Sequence, residues 1–171
     1  MTVALAISAC GSAATSSPTT APTAGTASVT STTQTRAVAS KEVIAAYRTM
    51  WADLVTAAVT SDFQSPLLAQ HATGDALTLL VQGLARDQLH GIVTRGVTVH
   101  HPAVTSLSPT SDPTHAMVAD CFDDTHWIEY TTDGTRAKNT PGGHRATTAD
   151  LVKKGGTWKV SQLVIQATGT C

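Results

Sequence analysis

The apolar residues of this chain change their period near its middle, and that switch constrains the fold more than any other feature. Between Lys41 and His90 they recur at spacings of three and four, and after Gly96 they alternate. Ser40 is placed to cap a helix starting at Lys41, in which Val43, Ile44, Tyr47, Met50, Trp51, Leu54, Val55 and Ala58 form one wide stripe. "SDFQSPLLAQHA" reads as a turn and a short helix, with Pro66 suited to a first helical position. Asp75 is placed to cap a third helix that turns Leu77, Leu80, Val81 and Leu84 inward and stops at Gly91. Beyond Gly96, "VTVHHPAVTSLSP", "THAMVADCF", "HWIEYTT", "HRATTADLVK" and "TWKVSQLVIQAT" read as strands separated by turn-rich pieces. Helices followed by strands predict an α+β domain with an antiparallel sheet. In the last strand Trp158 and Val160 share one parity and Leu163 and Ile165 the other, so a bulge is expected near Ser161-Gln162.

The first 40 residues follow different rules. Val3 to Ala9 is an apolar run of signal-peptide length, and Ile7-Ser8-Ala9-Cys10 resembles the lipobox of bacterial lipoproteins, in which the cysteine is lipidated. Met1-Thr2 carries none of the basic residues that open such signals, so residues 1–10 read as a signal remnant. Residues 11–39 are almost wholly Ser, Thr, Ala, Pro and Gly, without apolar periodicity, and predict a disordered tether ahead of a domain spanning 40–171. Of three cysteines, acylation of Cys10 leaves Cys121 and Cys171 to pair. That bridge closes a loop of about 50 residues, worth on the order of 4 kcal/mol in the chain-entropy model.

The chain's 11 basic and 12 acidic residues are scattered, which gives no footprint for a phosphate backbone and argues against nucleic acid as a partner. His100 and His101 are adjacent in a predicted strand and point to opposite faces, so they do not line one site together. Asp123, Asp124 and His126 form the densest titratable cluster, yet two aspartates between apolar runs are also what a hairpin turn requires. Without HExxH, CxxC or GxSxG patterns, the sequence indicates no metal, no cofactor and no nucleophilic hydrolase. The acid-base candidates are Asp120, which shares a strand face with Val118 and Phe122, together with His101 and Tyr47. Trp51, Trp127, Tyr130 and Trp158 are the candidates for contact with a ligand or partner. "RAKNTPGGHR" reads as a long surface hairpin available for contact.

Helices carrying Tyr47 and Trp51, then a bent meander closing in "LVKKGGTWKVSQLVIQ", resemble the nuclear transport factor 2-like superfamily, also termed cystatin-like. Together with the lipobox, the tether, "AYRTMWADLVTAA", "HATGDAL", "DDTHW", "TPGGHRATTADLV" and the terminal cysteine, the chain resembles Streptomyces-type actinobacterial lipoproteins. The resemblance implies a cone: a strongly bent sheet wrapping the N-terminal helices around a pocket. This fold hosts isomerases, dehydratases, cyclases and binding modules alike, so it fixes no activity. The expectation is a lipid-anchored, extracytoplasmic protein at the outer face of the cell membrane, reaching into the cell wall. There it binds an envelope protein or a small ligand, for instance beside a secretion or conjugation apparatus. The alternatives are a pocket enzyme acting on a small apolar molecule and a structural spacer of the wall.

Overall fold

The computed structural model describes residues 25–137 and 142–171, with side chains from Thr32 onward. Cys10 and the lipobox lie outside the described residues. Helix α1 spans Gly25–Ala58, α2 Leu68–His71 and α3 Gly74–Leu89, and six strands follow: β1 Ile92–Gly96, β2 Ala103–Ser108, β3 His115–Asp123, β4 Trp127–Thr131, β5 His144–Lys154 and β6 Thr157–Ile165. The fold is α+β, with the helices packed in a bent antiparallel sheet, as the change of period predicts. No helix among the described residues is long and apolar enough to cross a membrane.

The largest departure from expectation is the start of α1. It begins at Gly25 and not at Lys41, so the second half of the expected tether is helical and Ser40 lies inside the helix instead of capping it. Extending a formed helix adds one hydrogen bond per residue fixed, whereas nucleating one is costly, so a packed segment can carry an unpromising one. Ala39 is buried against the core, and the Arg36 guanidinium donates to the Leu107 carbonyl of β2 at 3.4 Å, which ties this part of the helix to the sheet.

The remainder of α1 behaves as its stripe implies. Val43, Tyr47, Met50, Trp51 and Leu54 are buried and form the axis of the core. Helix α3 starts after Thr73, with Asp75 in its first turn and not at the cap, and ends at His90 before Gly91 in the left-handed region. It buries Ala76, Leu80 and Leu84 on the same core, while Leu77 and Val81 pack partly buried beside them.

Four strands form an antiparallel sheet in the order β2-β3-β5-β6. The register of β5 on β6 shifts between Asp150, opposite Gln162, and Leu151, opposite Val160. Ser161 is therefore the extra residue, and the bulge lets Trp158, Val160 and Leu163 all face inward despite their mixed parity. Strand β1, which the sequence pattern hides directly behind a helix end, pairs instead with β4. The Asp123–Trp127 turn is thus not a hairpin: it hands the chain from the four-stranded sheet to a two-stranded ribbon, and Val99 bridges back to Asp123. Nor is the 131–144 connection a hairpin between partners, since β4 and β5 belong to different sheets. Gly96 makes the ribbon possible. Its φ of 109° and the closeness of the His126 carbonyl leave no room for a Cβ.

The predicted disulfide is present. Cys121 of β3 is joined to Cys171 with a Cα–Cα separation of 5.9 Å, which fastens the C-terminus across the sheet.

Candidate functional site

Two features lie side by side between the helices and the sheet, a braced polar cluster and a mainly apolar cavity, and the aromatic rings of α1 and β3 stand between them. The cluster is centred on Asp120, whose side chain β3 turns inward beside Val118 and Phe122. The Tyr47 hydroxyl of α1 donates to Asp120 Oδ2 at 3.0 Å, and His100 Nδ1 lies 2.8 Å from the same oxygen. The backbone N–H of His101 donates to Oδ1 at 2.5 Å. With Nδ1 protonated towards the carboxylate, His100 Nε2 accepts from the Thr98 hydroxyl at 2.9 Å.

Burial alone would push the Asp120 carboxyl up. The hydrogen bonds from His100, Tyr47 and the His101 N–H outweigh it and hold the group below the usual carboxylate range. Burial, and after it the neighbouring Asp120 charge, raises the Tyr47 phenol well above its ordinary value. Asp120 is consequently a charged acceptor with both oxygens engaged, and Tyr47 is a permanently protonated donor.

Of the adjacent histidines, His101 is exposed and brings its backbone N–H to Asp120. His100 is the inward one, with its side chain 9% exposed. Its ring stacks on Trp51, with centroids 4.9 Å apart, and on Phe122 at 5.2 Å, and meets the edge of Tyr47 at 6.0 Å. Trp51 and Phe122 themselves stack at 4.5 Å. Only one of two neighbours in an extended segment can face Asp120, but the sequence does not say which.

On the far side of Trp51 and Phe122 lies a cavity of about 270 Å³. Its walls are Trp51 and Leu54 of α1, Leu80 and Leu84 of α3, Phe122 of β3 and Trp127 of β4. Leu79 and Ile165, 45% and 38% exposed, mark an apolar rim, and Gly83 of α3 lies beside them. A Cβ added at Gly83 would meet no described atom within 4 Å. Polar groups also reach the lining: Thr94, Arg86, Asp87, Asp124 and Glu129. Asp124 accepts from the Gly143 N–H at 2.6 Å and from Arg145 Nε at 3.0 Å, so its charge is already balanced. Trp127 Nε1 is buried and has no hydrogen-bond partner among the described residues. The Trp51 indole N–H approaches the Tyr47 oxygen without completing a hydrogen bond.

Of the four aromatics singled out from sequence, Trp51 and Trp127 therefore reach the cavity. Trp158 does not: it is buried elsewhere, with Nε1 donating to Glu42 Oε2 at 3.2 Å. Tyr130 stands on the ribbon beneath the Arg95 guanidinium, 5.4 Å from its ring centroid. Phe122, Leu79 and Gly83 were not singled out, since an apolar strand residue and a helical glycine carry no signal of a cavity. A wider depression of about 540 Å³ opens on the outer face of the sheet around Met117, His115, Asp150 and Gln162.

No protein-family model and no curated protein matches the chain. Among solved structures, the intermembrane space region of the chloroplast protein ARC6 is similar, with a TM-score of 0.60 and 15% identity over 75% of this chain and 97% of that one. A protein of unknown function with a cystatin-like fold from Nostoc punctiforme follows at a TM-score of 0.43 and 10% identity, covering 75% and 90%. A protein from Catenulispora acidiphila gives 0.48 and 11%, covering 78% and 94%. With the ARC6 region the likeness extends to the fold alone.

Proposed function

We propose that this domain is a binding module that takes a small, mainly apolar ligand into the cavity between α1, α3 and the β1–β4 ribbon. The observation that carries the reading is the contrast across the Trp51–Phe122 wall. The titratable groups around Asp120 are saturated by one another, whereas the cavity is walled mainly by apolar side chains, among them the indole of Trp127, whose buried Nε1 has no partner among the described residues. A buried N–H without a partner costs about 1–3 kcal/mol, and a carbonyl or ether oxygen on a ligand removes that cost. The volume accommodates about nine water-sized groups at roughly 30 Å³ each, which is the scale of a one- or two-ring molecule.

The module works outside the membrane, held by acyl chains on Cys10. The Cys121–Cys171 disulfide supports this compartment, because such bonds persist where the surroundings are oxidising. Two or more acyl chains anchor firmly where one is marginal.

Cyclic ketones and amides of one or two rings, titrated against the purified chain, should quench tryptophan fluorescence and raise the melting temperature. Trp127→Phe should weaken the oxygen-bearing members about five-fold, the equivalent of one hydrogen bond, and leave their hydrocarbon analogues unchanged. If none of the panel binds, or if hydrocarbons and ketones lose equally, the assignment is wrong. In cells, labelled fatty acid should enter the wild type and not Cys10→Ala.

A further inference from the structure

We propose that the Cys121–Cys171 disulfide is a thiol-exchange site, with Cys171 as the attacked sulfur, Cys121 as the leaving group and His144 as the group that receives the leaving thiolate. The two half-cystines are not equivalent. Cys171 is exposed and lies outside any strand, while Cys121 sits half-buried within β3. His144, the first residue of β5, places Nδ1 3.7 Å from Cys121 Sγ, and its Nε2 lies 4.0 Å from the Asp123 carboxylate. Asp123 is opposite His144 in the register of β3 and β5, so the sheet itself aligns carboxylate, imidazole and sulfur on one face. The His144 side chain is 59% exposed, so a second thiol-bearing molecule can approach this corner.

The chemistry follows from that asymmetry. A thiolate of an external dithiol attacks Cys171 Sγ, the Cys121–Cys171 bond breaks, and its electron pair passes to Cys121 Sγ. His144 Nδ1–H donates to the new thiolate, and the Asp123 carboxylate beside Nε2 orients the ring for that donation. A thiol that leaves as a stabilised thiolate leaves faster. The reductant's second thiolate then attacks its own sulfur in the mixed disulfide and releases Cys171. Two electrons and two protons have moved from the dithiol, now a disulfide, to the two cysteines. The released segment is Gln166–Cys171, which four further hydrogen bonds hold on the start of β5: Gln166 N–H to Ala146 O at 2.9 Å, Gly169 N–H to His144 O at 2.7 Å, Ala146 N–H to Thr170 Oγ1 at 2.8 Å, and the Arg145 guanidinium to Gln166 O at 3.4 Å. The buried core lies on the other face of β3 and β5 and is not opened.

The test uses the full-length native protein, with Cys10 counted apart. Exposure to excess glutathione, followed by rapid alkylation and peptide mapping, should place glutathione on Cys171 and the alkyl group on Cys121. The reverse pattern overturns the proposal. Reduction by dithiothreitol at neutral pH should proceed without denaturant and be on the order of five-fold slower in His144→Ala, with His144→Lys recovering part of the rate. An unchanged rate in His144→Ala, or a bond reducible only after unfolding, also overturns it.

Discussion

Gly83 gives the sharpest prediction, because one position there tests both helix energetics and the route into the cavity. It lies in the interior of α3, where glycine costs about 1 kcal/mol relative to alanine through lost backbone entropy. No described atom lies within 4 Å of an added Cβ, so a methyl group should meet no opposing clash. Gly83→Ala should therefore stabilise the protein by about 1 kcal/mol. For a domain of about 130 residues the unfolding entropy is roughly 0.27 kcal/mol/K, so the melting temperature should rise by about 4 °C. Ligand uptake should be unaffected, since a methyl group is small beside the cavity. Gly83→Phe should keep part of the helical gain but place a ring at the rim beside Leu79 and Ile165, weakening the ketone ligands at least about ten-fold, or 1.4 kcal/mol. Calorimetric melting and fluorescence titration on the two variants read these effects separately. A Gly83→Ala protein that melts lower shows that the space beside α3 is not open. A stable Gly83→Phe protein with undiminished affinity shows that ligand does not enter there.

Other expectations follow from the cluster and the ribbon. Asp120→Asn should cost about 3 kcal/mol at pH 7, because a buried, triply bonded carboxylate is lost and the His100 and Tyr47 donors are left mismatched. The depressed Asp120 carboxyl contributes stability that is present above its unfolded value of about 3.9 and lost as pH falls through its lower folded value. The gap between wild type and Asp120→Asn in urea melts should thus narrow at low pH, and a gap independent of pH refutes the bracing role. Tyr47→Phe, which leaves the ring packing intact, should cost about 1–2 kcal/mol in the same melts. Gly96→Ala should destabilise by more than about 2 kcal/mol, since its methyl group collides with the His126 carbonyl and forces β1 from β4. Near-ultraviolet circular dichroism should report the displaced Trp127 in that variant even where it remains folded.

Much of the fold is visible in the sequence because burial imposes a period. The stripe from Val43 to Ala58, the alternation in β3 and β5, and the parity clash that betrays the Ser161 bulge are consequences of one face meeting a core. The inward position of Asp120 is legible for the same reason. What escapes is whatever depends on chain path. Residues 97–102 are not regular strand, so parity alone could not rank His100 above His101 without knowing which one faced Asp120. The transfer of the chain from sheet to ribbon at Asp123–Trp127 uses the same aspartates a hairpin would. The helical stretch before Ser40 has a composition that favours no structure, and contacts made far away, at Leu107, hold it. Gly83 becomes informative only once the space around it is known.

The rings of Trp51 and Phe122 form a party wall between the cavity and the charge on Asp120. Trimming either ring to enlarge the cavity would admit water to His100 and loosen the brace behind it, so enlargement from that side is bought with stability. The opposite side carries no such penalty. Leu79, Gly83, Ile165 and Trp127 border solvent or the ribbon, and exchanges there reshape the cavity while the brace stays closed. In a scaffold built this way, what is bound can drift through substitutions in α3, β4 and the end of β6, while α1 and β3 stay fixed as the chassis.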